Sequence, residues 1–194
     1  MGVYTSWIAV KSDDILNIQQ TLMLSDTALL GLSSEQQKRE YDKHHVEAYL
    51  LESRWYIIQQ WEGFSQASIL KTSEKYDVIM FDYSESAMTS KAQYWQAKKL
   101  IWEVFHDNSF HEDDCHLEYS GAIPDSFQTI IEKVEAQNNE VGCCYTIEIP
   151  KLLIEQYLEQ EYNEFGRPKA NITTSYLSYD EPYKLLQRYK ISCS

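Results

Sequence analysis

The densest group of potential metal ligands lies in one short stretch of the sequence, residues 106–116. It holds three histidines, one cysteine and four carboxylates: His106, Asp107, His111, Glu112, Asp113, Asp114, Cys115 and His116. Imidazole, thiolate and carboxylate groups all bind transition metals. Their spacing, however, matches neither a CxxC pair nor an HExxH or HxE…PCxxC pattern. We therefore expect an acidic loop with no bound metal or cofactor.

The cysteines are the second group of residues with chemical potential. Cys143 and Cys144 are adjacent, and a disulfide between neighbouring residues is strained. A cysteine nucleophile needs electropositive surroundings, whereas these two lie in an acidic region. We expect all four cysteines, with Cys115 and Cys193, to be free thiols. The N-terminus has no basic stretch followed by an apolar one, which predicts a cytoplasmic protein.

Other catalytic signatures are missing from the sequence. No two of the six glycines lie close together, so there is no glycine-rich phosphate loop, and there is no GxSxG elbow. The paired carboxylates Asp13 and Asp14 are typical of a helix N-terminus. We predict no catalytic residues and no enzymatic activity.

The formal net charge of −13 is concentrated in one third of the chain. Residues 103–164 contain 15 Asp or Glu and only two basic residues, Lys133 and Lys151, while the remainder holds 15 charges of each sign. Such a field speeds association with a basic partner and repels nucleic acid and anionic membranes. No apolar run approaches the length of a membrane span. The pattern predicts a docking surface for a basic protein.

Six carboxylates are predicted to form this surface. A helix that begins at Pro150 places Glu155 and Glu159 one turn apart on a solvent-facing ridge. Four residues of the preceding loop extend the acidic field if that loop folds nearby: Asp107, Glu112, Asp113 and Asp114.

The elements that position these residues indicate one globular α+β domain over residues 1–194. Strands are expected over residues 3–10, 49–61, 76–83, 100–106 and 143–149. Helices are expected after Asp13, over residues 91–99, after Pro124, and from Pro150 to Gly166. Because strands and helices do not alternate, we predict a largely antiparallel sheet of about five to seven strands with helices packed to one side.

Four segments of the chain resemble a group of small, uncharacterised bacterial cytoplasmic proteins. They are residues 2–11 (GVYTSWIAVK), 54–58 (RWYII), 101–107 (IWEVFHD) and 117–124 (LEYSGAIP). The group is weakly associated with the immunity partners of bacterial toxins. The resemblance implies a related fold and a protein-binding role, and it carries over no catalytic residues.

Together these observations favour a cytoplasmic immunity protein that occludes a basic toxin, such as a nuclease, through an acidic surface. Two alternatives stay open. One is an adaptor or self-associating structural protein. The other is a metal-dependent hydrolase with a dispersed site that uses His106, His111 or His116. The sequence does not determine the oligomeric state.

Overall fold

The computed structural model describes residues 4–26, 46–60, 63–108, 115–141, 145–161 and 173–179. Within these ranges the strands are β1 (Tyr4–Lys11), β2 (Leu24–Asp26), β3 (Val46–Leu50), β4 (Trp55–Gln60), β5 (Asp77–Ser84), β6 (Thr89–Gln96), β7 (Lys99–Asp107), β8 (Leu117–Gly121) and β9 (Thr173–Tyr179). The α-helices are α1 (Ile15–Leu22), α2 (Gln66–Ser73), α3 (Ser126–Val141) and α4 (Ile149–Leu158), and a 3-10 turn covers Thr146–Glu148. None of these helices is long and apolar enough to cross a membrane.

All nine strands belong to one open sheet in the order β2-β9-β3-β4-β1-β5-β6-β7-β8. Every neighbouring pair is antiparallel. The predicted α+β class and antiparallel sheet are therefore confirmed. Seven strands from β3 to β8 form a continuous run of the predicted size, and β9 and β2 extend it beyond β3.

Both faces of the sheet are covered, because the central strands carry buried apolar side chains on each face. In β1, Trp7 and Ala9 contribute to one buried cluster, whereas Ile8 and Val10 contribute to the other. The first cluster is completed by α3 and α4, and the second by α1 and α2. The prediction that helices pack to one side is therefore wrong in this respect: a strand that is apolar on both sides needs cover on both.

Two segments differ from the sequence-based prediction. The helix predicted over residues 91–99 is absent, and these residues form most of β6 and its turn into β7. Ala97 and Lys98 both have positive φ angles, 48° and 62°, as a tight hairpin turn requires. Pairing of β6 with β5 and β7 thus overrides the helix propensity of Ala, Gln and Lys.

The prediction of a strand over residues 143–149 is also wrong for residues 145–149, which are the ones that the structure describes. Residues 146–148 form the 3-10 turn and α4 begins at Ile149. The backbone N–H of Tyr145 donates to the side chain of Asn138 at 2.7 Å rather than to a strand. Pro150, which has no N–H, lies in the first turn of the helix.

Candidate functional site

Helix α4 carries two of the predicted binding residues, and its buried face fixes its position on the sheet. Leu153, Ile154 and Leu158 are almost fully buried. Tyr157 adds ring contacts with Trp55 on β4, Tyr94 on β6 and Trp102 on β7, at centroid distances of 6.2, 5.6 and 6.1 Å. Since rings from three strands hold one helical side chain, the opposite face of α4 is oriented toward solvent.

The end of α4 comes earlier than its sequence predicts. Glu159 adopts a left-handed conformation with φ of 55° and closes the helix. The N–H of Gln160 then donates to the carbonyl oxygen of Glu155 at 2.9 Å. The helix therefore ends at Leu158, short of the predicted end at Gly166, which lies outside the described residues. Glu159 is consequently a capping residue and not part of a continuing helical ridge.

Helix α3 packs against α4, and the two helices border an open groove of about 390 Å³. Glu155, Glu159 and Glu161 line it from the α4 side, and Lys133 lines it from the α3 side. Ile130 and Leu152 contribute apolar surface. Among the described residues that line the groove, three carboxylates and one ammonium group give a net charge of −2. Acidic walls over an apolar floor suit a cationic side chain with an aliphatic stem.

Among the described residues, α4 carries one lysine, Lys151. Lys151 lies 3.2 Å from Glu148 and is three-quarters buried, so this ammonium group is already neutralised. The hydroxyl of Tyr83 donates to Glu148 at 3.4 Å. Burial, followed by the charge of Glu148, raises the pKa of Tyr83 to about 12. This tyrosine therefore stays neutral at physiological pH and adds no charge.

Of the six predicted binding residues, the structure brings two together. Glu155 is half-buried and Glu159 is exposed, and both line the groove. Asp107 is the half-buried last residue of β7 and does not line it. Glu112, Asp113 and Asp114 lie outside the described residues. Sequence reasoning missed Lys133 and Glu161 as groove residues, since only the packing of α3 against α4 places them there.

Where the structure describes the candidate metal ligands of residues 106–116, His106 and His116 make hydrogen bonds within the fold. His106 is buried on β7, and its Nδ1 lies 2.7 Å from the carbonyl oxygen of His116. Because a carbonyl only accepts, this nitrogen carries the proton. Nε2 of His116 lies 3.0 Å from Glu118. Within the described ranges, no three His, Cys, Asp or Glu side chains form a group that could hold a metal ion.

Cys115, just before β8, is disulfide-bonded. The prediction that all four cysteines are free thiols is therefore wrong at this position, and the other three cysteines lie outside the described residues. Disulfides are typical of oxidising compartments. The cysteines consequently no longer support a reducing environment.

A second polar group, which the sequence did not reveal, lies on the α1–α2 face of the sheet. Oγ of Ser6 lies 2.5 Å from Oδ1 of Asp82. Burial raises the pKa of Asp82, although the bond from Ser6 and the charge of Lys91 oppose this effect. Lys91 lies 3.0 Å from Glu103. These groups satisfy one another, so we assign them to cohesion between β1, β5, β6 and β7.

Comparison of the chain with models of protein families, with curated proteins and with solved structures gave no match. The resemblance to the bacterial group accordingly stays a prediction. The function is therefore inferred from the charge, the groove and the strands described above.

Proposed function

We propose that the chain is an immunity protein that binds and occludes a bacterial toxin, a basic one such as a nuclease, through its acidic surface. The observation that carries the proposal is the groove between α3 and α4, where Glu155, Glu159 and Glu161 face Lys133. A basic toxin provides the complementary charge. Covering a cationic nuclease surface would also block its access to nucleic acid.

The surroundings of the groove support a protein partner over a nucleic acid or a metabolite. Asp125, just before α3, and Glu132, Glu135 and Glu140 on α3 are all exposed and extend the acidic surface beyond the groove. The phosphate backbone of a nucleic acid is repelled by such a surface. Pockets for small molecules enclose most of their ligand, whereas this groove is open along two helices.

The experiment has two stages. A tagged chain is first used to isolate its complex from native cells, and the partner is identified by mass spectrometry. The expected partner is a basic toxin whose activity falls to zero as purified chain is added to one equivalent. An acidic partner, or a partner whose activity is unchanged by saturating chain, contradicts the proposal.

Charge reversal then locates the surface. Glu155→Lys/Glu159→Lys is expected to slow association by at least about tenfold at low ionic strength, where the screening length is about 30 Å, with little effect in about 1 M salt. Asp13→Lys/Glu74→Lys is the matched control with the same change of charge. Both control residues form exposed ion pairs, with Arg54 and Lys98, outside the acidic third. Equal association rates for the two variants would place the binding surface elsewhere.

A further inference from the structure

Strand β8 is the last strand of the sheet and pairs only with β7. Its residues from Glu118 to Gly121 are exposed, and Tyr119 retains 59% of its accessible surface. In the part of the chain that the structure describes, no strand covers the outer side of β8. The opposite edge of the sheet, β2, is only three residues long and lies outside the acidic third.

The hydrogen-bond register shows which backbone groups of β8 face outward. The N–H of Ala122 donates to the carbonyl oxygen of Ile101 at 2.9 Å. Hydrogen-bonded pairs alternate along an antiparallel ladder, so Ser120 and Glu118 form the next inward-facing pairs with β7. The N–H and C=O groups of Leu117, Tyr119 and Gly121 consequently point away from the sheet.

This edge lacks most of the features that usually prevent strand addition. Natural edge strands are protected by proline, charged side chains, bulges or very short length. The charged residue of β8, Glu118, opposes pairing with an acidic strand but attracts a basic one. The sequence of β8, Leu-Glu-Tyr-Ser-Gly, contains no proline or lysine, and its register with β7 is continuous over five residue pairs. An incoming strand therefore meets aligned donors and acceptors.

Charge and side-chain contacts indicate what kind of strand this edge accepts. Glu118 lies within β8 and is 61% exposed, and the surrounding residues 103–164 carry the whole net charge of −13. A second copy of this acidic chain would be repelled, whereas a basic segment would be attracted. The ring of Tyr119 packs edge-on against Phe127 of α3 at 5.0 Å. Tyr119 thus connects the open edge with the acidic helices.

We propose that an extended basic segment of the partner protein pairs with β8 as an additional strand of the sheet, with its side chains packed beside Tyr119. This inference rests on the proposed function and specifies its binding mode. Main-chain hydrogen bonds to Leu117, Tyr119 and Gly121 supply affinity, and the acidic surroundings select for lysine and arginine.

The probe is a displayed library of random peptides about ten residues long, selected against the intact chain. Enriched peptides are expected to be rich in Lys, Arg and β-branched residues and poor in proline. In hydrogen exchange, the amides of Glu118 and Ser120 should be protected already in the free chain. Those of Leu117, Tyr119 and Gly121 should exchange rapidly when free and become protected when a selected peptide binds.

Two substitutions separate the backbone from the side chain. Tyr119→Pro removes one outward N–H but no hydrogen bond to β7, and is expected to weaken peptide binding by at least about tenfold. Tyr119→Ala removes the ring but keeps the N–H, and is expected to weaken binding less. Retained protection of Glu118 and Ser120 shows that β8 still pairs with β7 in each variant.

Several results would overturn the inference. One is that the selection yields no binding peptides. A second is that a selected peptide binds but the amides of Leu117, Tyr119 and Gly121 stay unprotected. A third is that these amides are protected in the chain without peptide, to a degree that rises with the concentration of the chain. This third result would show that a second copy of the chain, and not a basic partner, pairs with β8. A toxin complex can depend on Glu155 and Glu159 while the amides of Leu117, Tyr119 and Gly121 still exchange rapidly. This result would refute the strand pairing but leave the proposed function intact. Strand pairing of a selected basic peptide without any toxin partner supports the strand addition and refutes the proposed function.

Discussion

Replacement of His106 by asparagine should reduce the acid sensitivity of the fold. His106 is 1% exposed and its Nδ1 donates to the carbonyl oxygen of His116 at 2.7 Å. Burial lowers the pKa of His106, and the bond to His116 and the charge of Asp107 only partly oppose this effect. In the unfolded chain the imidazole is free to take up a proton at its ordinary pKa. His106→Asn keeps an N–H donor but removes the titration.

The sign and size of the effect follow from proton linkage. A histidine whose pKa is lowered by folding favours the folded state above its unfolded pKa of about 6.5, and this contribution is lost as the pH falls. If the folded imidazole stays neutral, protonation of the unfolded chain costs RT ln 11, about 1.4 kcal/mol, at pH 5.5 and less than about 0.1 kcal/mol at pH 7.5. The wild-type chain should therefore lose up to about 1.4 kcal/mol over this interval through His106 alone.

Urea denaturation of both chains between pH 5.5 and 7.5 measures this contribution. With an m-value of about 1–3 kcal/mol/M, the midpoint for the wild type should fall by up to roughly 0.5–1.4 M more than the midpoint for the variant. Carboxylates that titrate in both chains cancel in the difference. A difference between the two free energies of unfolding that is independent of pH, or that changes in the opposite direction, would refute the linkage through His106.

Three further substitutions test the packing. Leu153→Ala, at a fully buried position of α4, should lower the free energy of unfolding by about 2–5 kcal/mol in urea titrations, because it leaves a cavity against the sheet. Asp82→Asn should raise the free energy of unfolding at pH 7, since it removes a half-buried charge whose pKa is raised by burial but keeps an acceptor for Ser6. The pKa of Asp82 is raised on folding, so this gain should shrink as the pH falls toward about 4, and a gain that grew instead would contradict it. Gly121→Ala should lower the melting temperature, because φ is +88° and a Cβ there would lie 2.1 Å from the carbonyl oxygen of Ile101; an unchanged melting temperature would show that β8 shifts freely.

The sequence predicts the elements whose pattern is local. β1, β5 and β7 are recognisable as apolar β-forming runs, and the apolar spacing after Pro124 and Pro150 predicts α3 and α4. The same approach fails for β6, where Ala92, Gln93 and Gln96 favour a helix and only the pairing with β5 and β7 decides otherwise. Sequence patterns also do not predict which helices pack on which face of the sheet, because this depends on how the strands are connected.

The candidate site shows the same limit. Helical spacing predicts Glu155 and Glu159, and both line one groove. Their opposing cation Lys133 lies on α3, and no local pattern relates it to α4. The outward backbone of Tyr119 is likewise beyond prediction, since β8 becomes an edge only when the strand order is known.

This topology places the two acidic helices, α3 and α4, against the same face of the sheet. Residues 103–161 supply α3, α4 and β8, which lie on or beside one face of the sheet, while α1 and α2 on the other face come from the electrically balanced part of the chain. Solubility alone would be served by charge on both faces. The concentration of carboxylates on and beside α3 and α4 instead orients an approaching basic partner before contact. The groove between α3 and α4 and the edge strand β8 both lie in this acidic region, and their proximity supports the proposal that a basic partner docks there.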